Sequence, residues 1–174
     1  MTRRLVFKHT VEGLFTRAYG GQIPPSLEAQ FRQMGLYAPA VDAEVFGRAF
    51  HLLRDEVHRG VEPAAAERQM GARFLAGYFE TAMGGLVKVM LKVLSVEQAL
   101  ARVPKSLMSG ANFIEAKVEK VGEREVNLVV NDYSTSPEFL CGVVSEMVTR
   151  AGGSPQIEIT ERNGRAMVMR VRWT

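Results

Sequence analysis

The chain has a single cysteine, Cys141, in 174 residues. One cysteine excludes an internal disulfide and fits a reduced setting, so a cytoplasmic location is expected. Histidine is nearly as scarce: His9, His51 and His58 are the three, all in the N-terminal third. His51 and His58 stand seven apart, within reach of one helix face, but no carboxylate or third ligand sits beside them at metal spacing. No metal site is expected. Long apolar runs are missing too. The longest, Ala82 to Val96, is interrupted by Lys88 and Lys92 and is too short to span a bilayer. The N-terminus has an apolar run of only three residues, Leu5-Val6-Phe7, so a signal peptide is not expected. Neither charge sign dominates: 22 basic and 19 acidic residues are interspersed, for a net charge of +3. Nucleic-acid binding needs a concentrated basic stripe, and none is visible. A phosphate loop, a nucleophile triad and a carboxylate pair are likewise absent. Glu12, Glu67 and Glu80 have no spacing that would couple two of them for acid–base work. The composition points away from an enzyme.

What is present is an ordinary globular mixture, 47% hydrophobic and 24% charged. This length suits one domain, residues 1–174, with a helical part over 1–104 and a β-rich part over 112–174. Thr10 is placed to cap a helix through Ala18, and Pro24-Pro25-Ser26 to open a short one. Asp42 caps a helix to about His58, whose Val45, Phe46, Ala49, Phe50, Leu52, Leu53 and Val57 form a broad apolar stripe. Pro63 starts the longest helix, to about Met83, with a break expected at Gly84-Gly85. The continuation through Leu94 would turn Leu86, Val87, Met90, Leu91 and Leu94 inward. Ser95 and Gln98 match a capping box for a helix over Val96 to Val103, and residues 105–111 read as a loop.

From Asn112 the apolar period changes from helical to two. Ile114, Ala116 and Val118, then Val126, Leu128 and Val130, alternate with polar residues across a turn near Gly122, as in a half-buried hairpin. Ser136 before Pro137 begins an apolar helix stopped by Gly152-Gly153. A second hairpin turns at Asn163-Gly164. The expected fold class is α+β: an N-terminal helical layer packed on a four-stranded antiparallel sheet, with a β-β-α-β-β C-terminal unit.

Several stretches together, FKHTVEGLF, GLYAP, MGARFLAGYFETAMGG, the Arg102 segment, GANFIEAKVE, NDYSTSPEFLCGV and the terminal VRW, resemble a paralogous family of uncharacterised cytoplasmic proteins abundant in myxobacteria. That resemblance implies a fold and no catalytic residues. More distantly, residues 112–173 look like the C-terminal half of a ligand-binding superfamily. It comprises haem–nitric-oxide-binding domains, vinyl-reductase small-molecule domains and acyl-binding subunits of vesicle-tethering complexes. The resemblance implies a ligand enclosed between helices and sheet. Tyr133-Ser134-Thr135-Ser136 sits where the haem-binding members carry Tyr-x-Ser-x-Arg, and Pro137 replaces the Arg that would hold a haem propionate. The helix corresponding to the one with their proximal His, Val96 to Val103, has no His. No cofactor is therefore expected.

Pockets of this kind are mainly apolar with a few placed polar groups. The candidate ligand-binding residues are Arg102, Asn112, Asn131, Tyr133, Cys141, Tyr78 and Met83. Arg102, the two asparagines, Asp132 and Tyr133 would form a polar rim, or else serve local turn and cap chemistry. Cys141 reads as a small buried residue of the helix, and the methionines as core filling or pocket lining. The expected function is a non-enzymatic regulatory or sensor domain that binds a small apolar ligand, with occupancy changing helix packing around Gly77 and Gly84-Gly85. The alternative is a protein–protein interaction module, a homodimer or adaptor, without a ligand. Arg162, Arg165, Arg170 and Arg172 could meet an acidic partner or form a solvated strand face.

Overall fold

The computed structural model describes residues 3–133 and 135–174. Strand β1 (Leu5–Phe7) pairs antiparallel with β2 (Ala40–Asp42), a small second sheet that the periodicity does not disclose. Helix α1 (Lys8–Val11) runs directly into a π-helical segment, Glu12–Ala18. Thr10 does not cap this helix: Phe7 holds the cap position, and the Thr10 hydroxyl instead donates to the carbonyl of Gly110 at 3.2 Å. Helix α2 (Pro25–Gln33) starts on proline as expected. In α3 (Ala43–Val57) the Asp42 carboxylate accepts from the Glu44 amide at 2.9 Å, and Phe46, Ala49, Phe50 and Leu53 are buried.

Helix α4 (Pro63–Tyr78) ends earlier than the glycines suggest, and α5 (Ala82–Leu91) leaves it at 98°. Thr81 makes the corner. Its hydroxyl donates to the Tyr78 carbonyl at 2.7 Å and accepts from the Gly84 amide at 3.0 Å, which caps α5. Gly84 lies inside α5, where a Cβ would fall 1.8 Å from the Tyr78 carbonyl oxygen, so the missing side chain permits the sharp turn. The break thus sits at Phe79–Thr81 rather than at Gly84-Gly85. The inward stripe expected for this helix is kept at Val87, Met90, Leu91 and Leu94 and fails at Leu86. Leu91 is buried, whereas Leu86 is 68% exposed and Val93, just beyond the helix, 82%.

Helix α6 (Val96–Leu100) carries both hydrogen bonds of the Ser95/Gln98 capping box. It stops after five residues. The stretch read as a loop is helix α7 (Val103–Gly110), with Pro104 in its first turn, where a missing N–H costs nothing. Strands β3 (Ala116–Gly122) and β4 (Glu125–Val130) precede α8 (Pro137–Arg150), whose Ser136 cap accepts from the Phe139 amide at 3.0 Å. Strands β5 (Pro155–Asn163) and β6 (Ala166–Trp173) complete an antiparallel sheet of order β3-β4-β6-β5. The α+β architecture with its β-β-α-β-β unit is as expected.

The sheet's inner face is set by the period of two: Val126 opposes Val171, Leu128 opposes Met169 and Val130 opposes Met167, all buried. Helix α4 crosses α8 at backbone contact. A Cβ on Gly71 would lie 2.0 Å from the Phe139 carbonyl oxygen, and one on Gly142 would lie 2.0 Å from that of Arg68. A Cβ on Gly77 would meet the Gly13 carbonyl at 2.2 Å, so α4 presses equally close to the π-helical segment. No single helix among the described residues is long and apolar enough to cross a membrane.

Candidate functional site

Where β1, α4, α7 and α8 converge on the end of β4, they leave an internal cavity of about 90 Å³. Phe74, Leu75 and Tyr78 of α4 form one wall, and Phe139, Leu140, Val143 and Met147 of α8 the opposite one. Val103, Ser106, Leu107 and Gly110 of α7 face it from a third side, with Val6, Ile114 and Val130 between them. Val87 reaches in from α5. The lining is largely aliphatic and aromatic, as in small-molecule sites generally.

The polar residues at this cavity are mostly occupied. The Tyr133 hydroxyl donates to the Gly164 carbonyl at 3.3 Å, Ser136 caps α8, and Thr10 is tied to Gly110. Asp132 is paired with Arg4 at 2.5 Å, and Arg165 stands 4.0 Å from its other oxygen. Burial nonetheless pushes the Asp132 carboxyl up, with Arg4 and Arg165 opposing the shift. Arg4 also lies over the Phe113 ring at 4.3 Å, so the chain start and the loop ahead of α8 are clasped together at the cavity rim.

His9 differs from these groups. It lines the cavity, 6.0 Å from the Tyr78 ring, and its Nε2 is buried without a partner among the described residues. Burial lowers its pKa, opposed by the Ser109 backbone carbonyl and by Glu12. Burial also raises that of Tyr78, against the Ser109 side chain.

Of the seven residues singled out from the sequence, Tyr78 and Tyr133 reach the cavity. The other five do not. Asn112 bridges to the first strand, accepting from the Leu5 amide at 2.8 Å and donating to the Arg3 carbonyl at 2.9 Å. Asn131 does the same across its own hairpin, with the Glu115 amide at 2.7 Å and the Phe113 carbonyl at 3.1 Å. Both bridge backbone of a distant segment rather than capping a local turn. Arg102 is exposed beside the Met90 sulfur. Met83 is 50% exposed because the corner at Thr81 turns α5 outward. Cys141 is buried within α8 but away from the cavity, its thiol pushed up to about 12 by burial. Ser134, part of the Tyr-x-Ser-x-Arg comparison, lies outside the described residues.

His9 was not among the candidates. It precedes Thr10 on the first helical turn, and nothing local marks it as facing a site built mainly by residues about a hundred positions away. Arg170 and Arg172, read as a possible acidic-partner surface, share Glu125 at 3.3 and 3.4 Å.

A helical layer on an antiparallel sheet, with a cavity between, defines the class: the fold is that of H-NOX domains. A Cs H-NOX variant carrying 4-cyano-L-phenylalanine superposes with a TM-score of 0.73 at 12% identity, covering 97% of each chain. An oxygen-binding H-NOX domain related to soluble guanylate cyclases gives 0.66 at 12% identity, covering 95% of this chain and 92% of its own. An Fe(II) unliganded H-NOX protein from K. algicida gives 0.64 at 10% identity, with 97% of both covered. At these identities the likeness speaks for the fold. By sequence the chain belongs to the family described as "Protein of unknown function (DUF2378)", whose model matches residues 4–174. A search of curated proteins gives no match.

Proposed function

We propose that this chain is a sensor or regulatory domain, non-enzymatic, that encloses a small apolar ligand between its helical layer and its sheet. The observation that carries this reading is the cavity of about 90 Å³, lined by α4, α7 and α8. The H-NOX fold supports it, since the oxygen-binding relative shares this architecture over nearly its whole length.

An iron porphyrin does not fit the residues present. The helix before β3 presents Val103, Ser106, Leu107 and Gly110 to the cavity and no imidazole. Pro137 stands at the first position of α8 where the resemblance implies a propionate-holding Arg. The volume is also well below the roughly 300 Å³ at which pockets for larger ligands begin. The ligand of this site is accordingly smaller than a macrocycle.

Transmission would run through the corner between α4 and α5. Tyr78 and Val87 line the cavity from either side of it, and Thr81 with Gly84 holds its angle. Filling the cavity would shift the orientation of α5 against α4. The outer face of α5 favours a second reading alongside the first, that of a partner surface: Met83, Leu86 and Val89 are exposed together, at 50%, 68% and 66%. Native mass spectrometry of the purified chain tests the ligand reading, with a bound species below about 300 Da expected. A ligand-free spectrum, with no stabilisation by any member of a small-aromatic panel in thermal denaturation, overturns it. Light scattering tests the partner reading, which in its homodimer form fails if the chain stays monomeric at millimolar concentration.

A further inference from the structure

The polar complement of the cavity restricts what can occupy it. Tyr133, Ser136 and Thr10 already have partners within the fold. The charge of Asp132 is answered by Arg4 at 2.5 Å and by Arg165. Neither an anion nor a cation would find an uncompensated opposite charge there, and burying an unpaired ion is costly. Two buried cavity atoms then lack a hydrogen bond among the described residues, Oδ1 of Asp132 and Nε2 of His9. The Asp132 carboxylate has its two arginines as ion partners, so Nε2 of His9 is the one left with neither a hydrogen bond nor an ion pair. Unpaired buried polar atoms are rare in folded proteins because each forfeits its hydration, so one facing a cavity is an open hydrogen-bonding position.

The direction of that bond follows from the ring's other nitrogen. We assign the proton of the neutral ring to Nδ1, on the side of the Ser109 backbone carbonyl that opposes the lowering of its pKa by burial. Beside the Phe7 and Tyr78 rings, with burial lowering its pKa, the imidazole is neutral at pH 7, and Nε2 is then an acceptor with no proton of its own. A ligand satisfies it only by bringing a donor.

We propose that the cavity takes a small, uncharged, largely apolar molecule bearing one hydroxyl or N–H group, which donates a hydrogen bond to Nε2 of His9. This deepens, and rests on, the reading of the cavity as a ligand site. Size sets the scale of the molecule: an apolar cavity of about 150 Å³ takes up benzene, so the 90 Å³ here suits a molecule smaller than a six-membered ring.

Pyrrole and furan are a matched pair for the test, differing by an N–H against an oxygen in the same five-membered ring. Binding of each to the full chain is followed by amide chemical-shift titration, in the wild type and in His9→Phe, with His9→Gln as the variant that keeps an acceptor. The pyrrole-to-furan affinity ratio is expected to fall about tenfold in His9→Phe, the value of one hydrogen bond of about 1.4 kcal/mol, and to be partly kept in His9→Gln. The ¹⁵N signal of His9 Nε2 in the wild type should move with pyrrole and stay in place with furan, a readout that needs no variant to fold. If both molecules bind but the ratio is the same in all three proteins and Nε2 does not respond, the assignment to His9 fails while the cavity reading stands. If neither molecule binds the wild type at millimolar concentration, the cavity reading fails with it.

Discussion

Single atoms decide several features of this protein. Gly71 and Gly142 are the clearest, because each touches the other helix's backbone carbonyl where a methyl would overlap it. Two helices normally pack 8–10 Å apart, and small residues at the crossing allow the closest approach. Gly71→Ala should therefore destabilise the fold by about 2–3 kcal/mol, the upper range for overpacking a rigid site, read as a lower urea midpoint at unchanged slope. Gly21→Ala, with no atom within 4 Å of the new Cβ, serves as the control and should leave the midpoint nearly in place. The sequence could not separate these glycines. Gly71 and Gly142 look like any other glycine inside a helical pattern, and the difference lies in what crosses them. The same limit hid His9, whose environment is made by α4, α7 and α8. Asn112 and Asn131 show the same limit: their side chains suit a turn or a pocket rim, and the fold uses them to tie together backbone segments distant in the chain.

Among the elements, α5 departs most from its expected role. Its apolar residues fill both faces, so periodicity cannot say which side is inward. The capping hydroxyl of Thr81 resolves it by fixing the axis at 98° to α4, which leaves Leu91 in the core and turns Leu86 out. Leu86→Asp is expected to change stability by less than about 0.5 kcal/mol, whereas Leu91→Asp buries a carboxylate without a partner and should prevent cooperative folding. Thermal denaturation of the two variants checks this. A larger loss in Leu86→Asp than in Leu91→Asp would mean that the helix faces the other way. Helix α7 carries a related lesson. Its sequence VPKSLMSG has few strong helix formers and a proline at the second position, so propensity favours a loop. Burial of Val103 and the packing of Leu107 against the core supply the stabilisation that propensity does not.

Across the whole molecule, two of the three histidines couple stability to pH. Burial depresses His9 and, with Arg73 nearby, His58, whose Nε2 meets the Tyr19 hydroxyl at 2.9 Å. A depressed native pKa means that the unfolded chain binds more protons between that value and the ordinary 6.5. Stability should therefore be full above about pH 7 and should fall as the pH drops below 6.5, flattening once the native histidines also protonate. Urea titrations between pH 5 and 8 measure it. Removing one imidazole, as in His58→Gln, should take up to one proton out of the slope. A pH-independent midpoint over this window would show that both imidazoles charge freely in the native state.

What the sequence determined by itself is everything whose cause lies within a few residues. The alternation that makes β3 to β6, the Ser136-Pro137 start of α8, the Asp42 cap and the Ser95/Gln98 capping box all act over a turn or a pair of strands. They were legible for that reason, and with them the α+β class and the β-β-α-β-β order. Tertiary structure decided the rest: the angle between α4 and α5, the helical state of residues 103–110, the pairing of β1 with β2, and the cavity. Each depends on groups distant in the chain meeting at packing distance, as when Val6, Phe74, Leu107 and Phe139 line one cavity. A local pattern carries no record of which surfaces meet, and the site of this protein is made from such meetings.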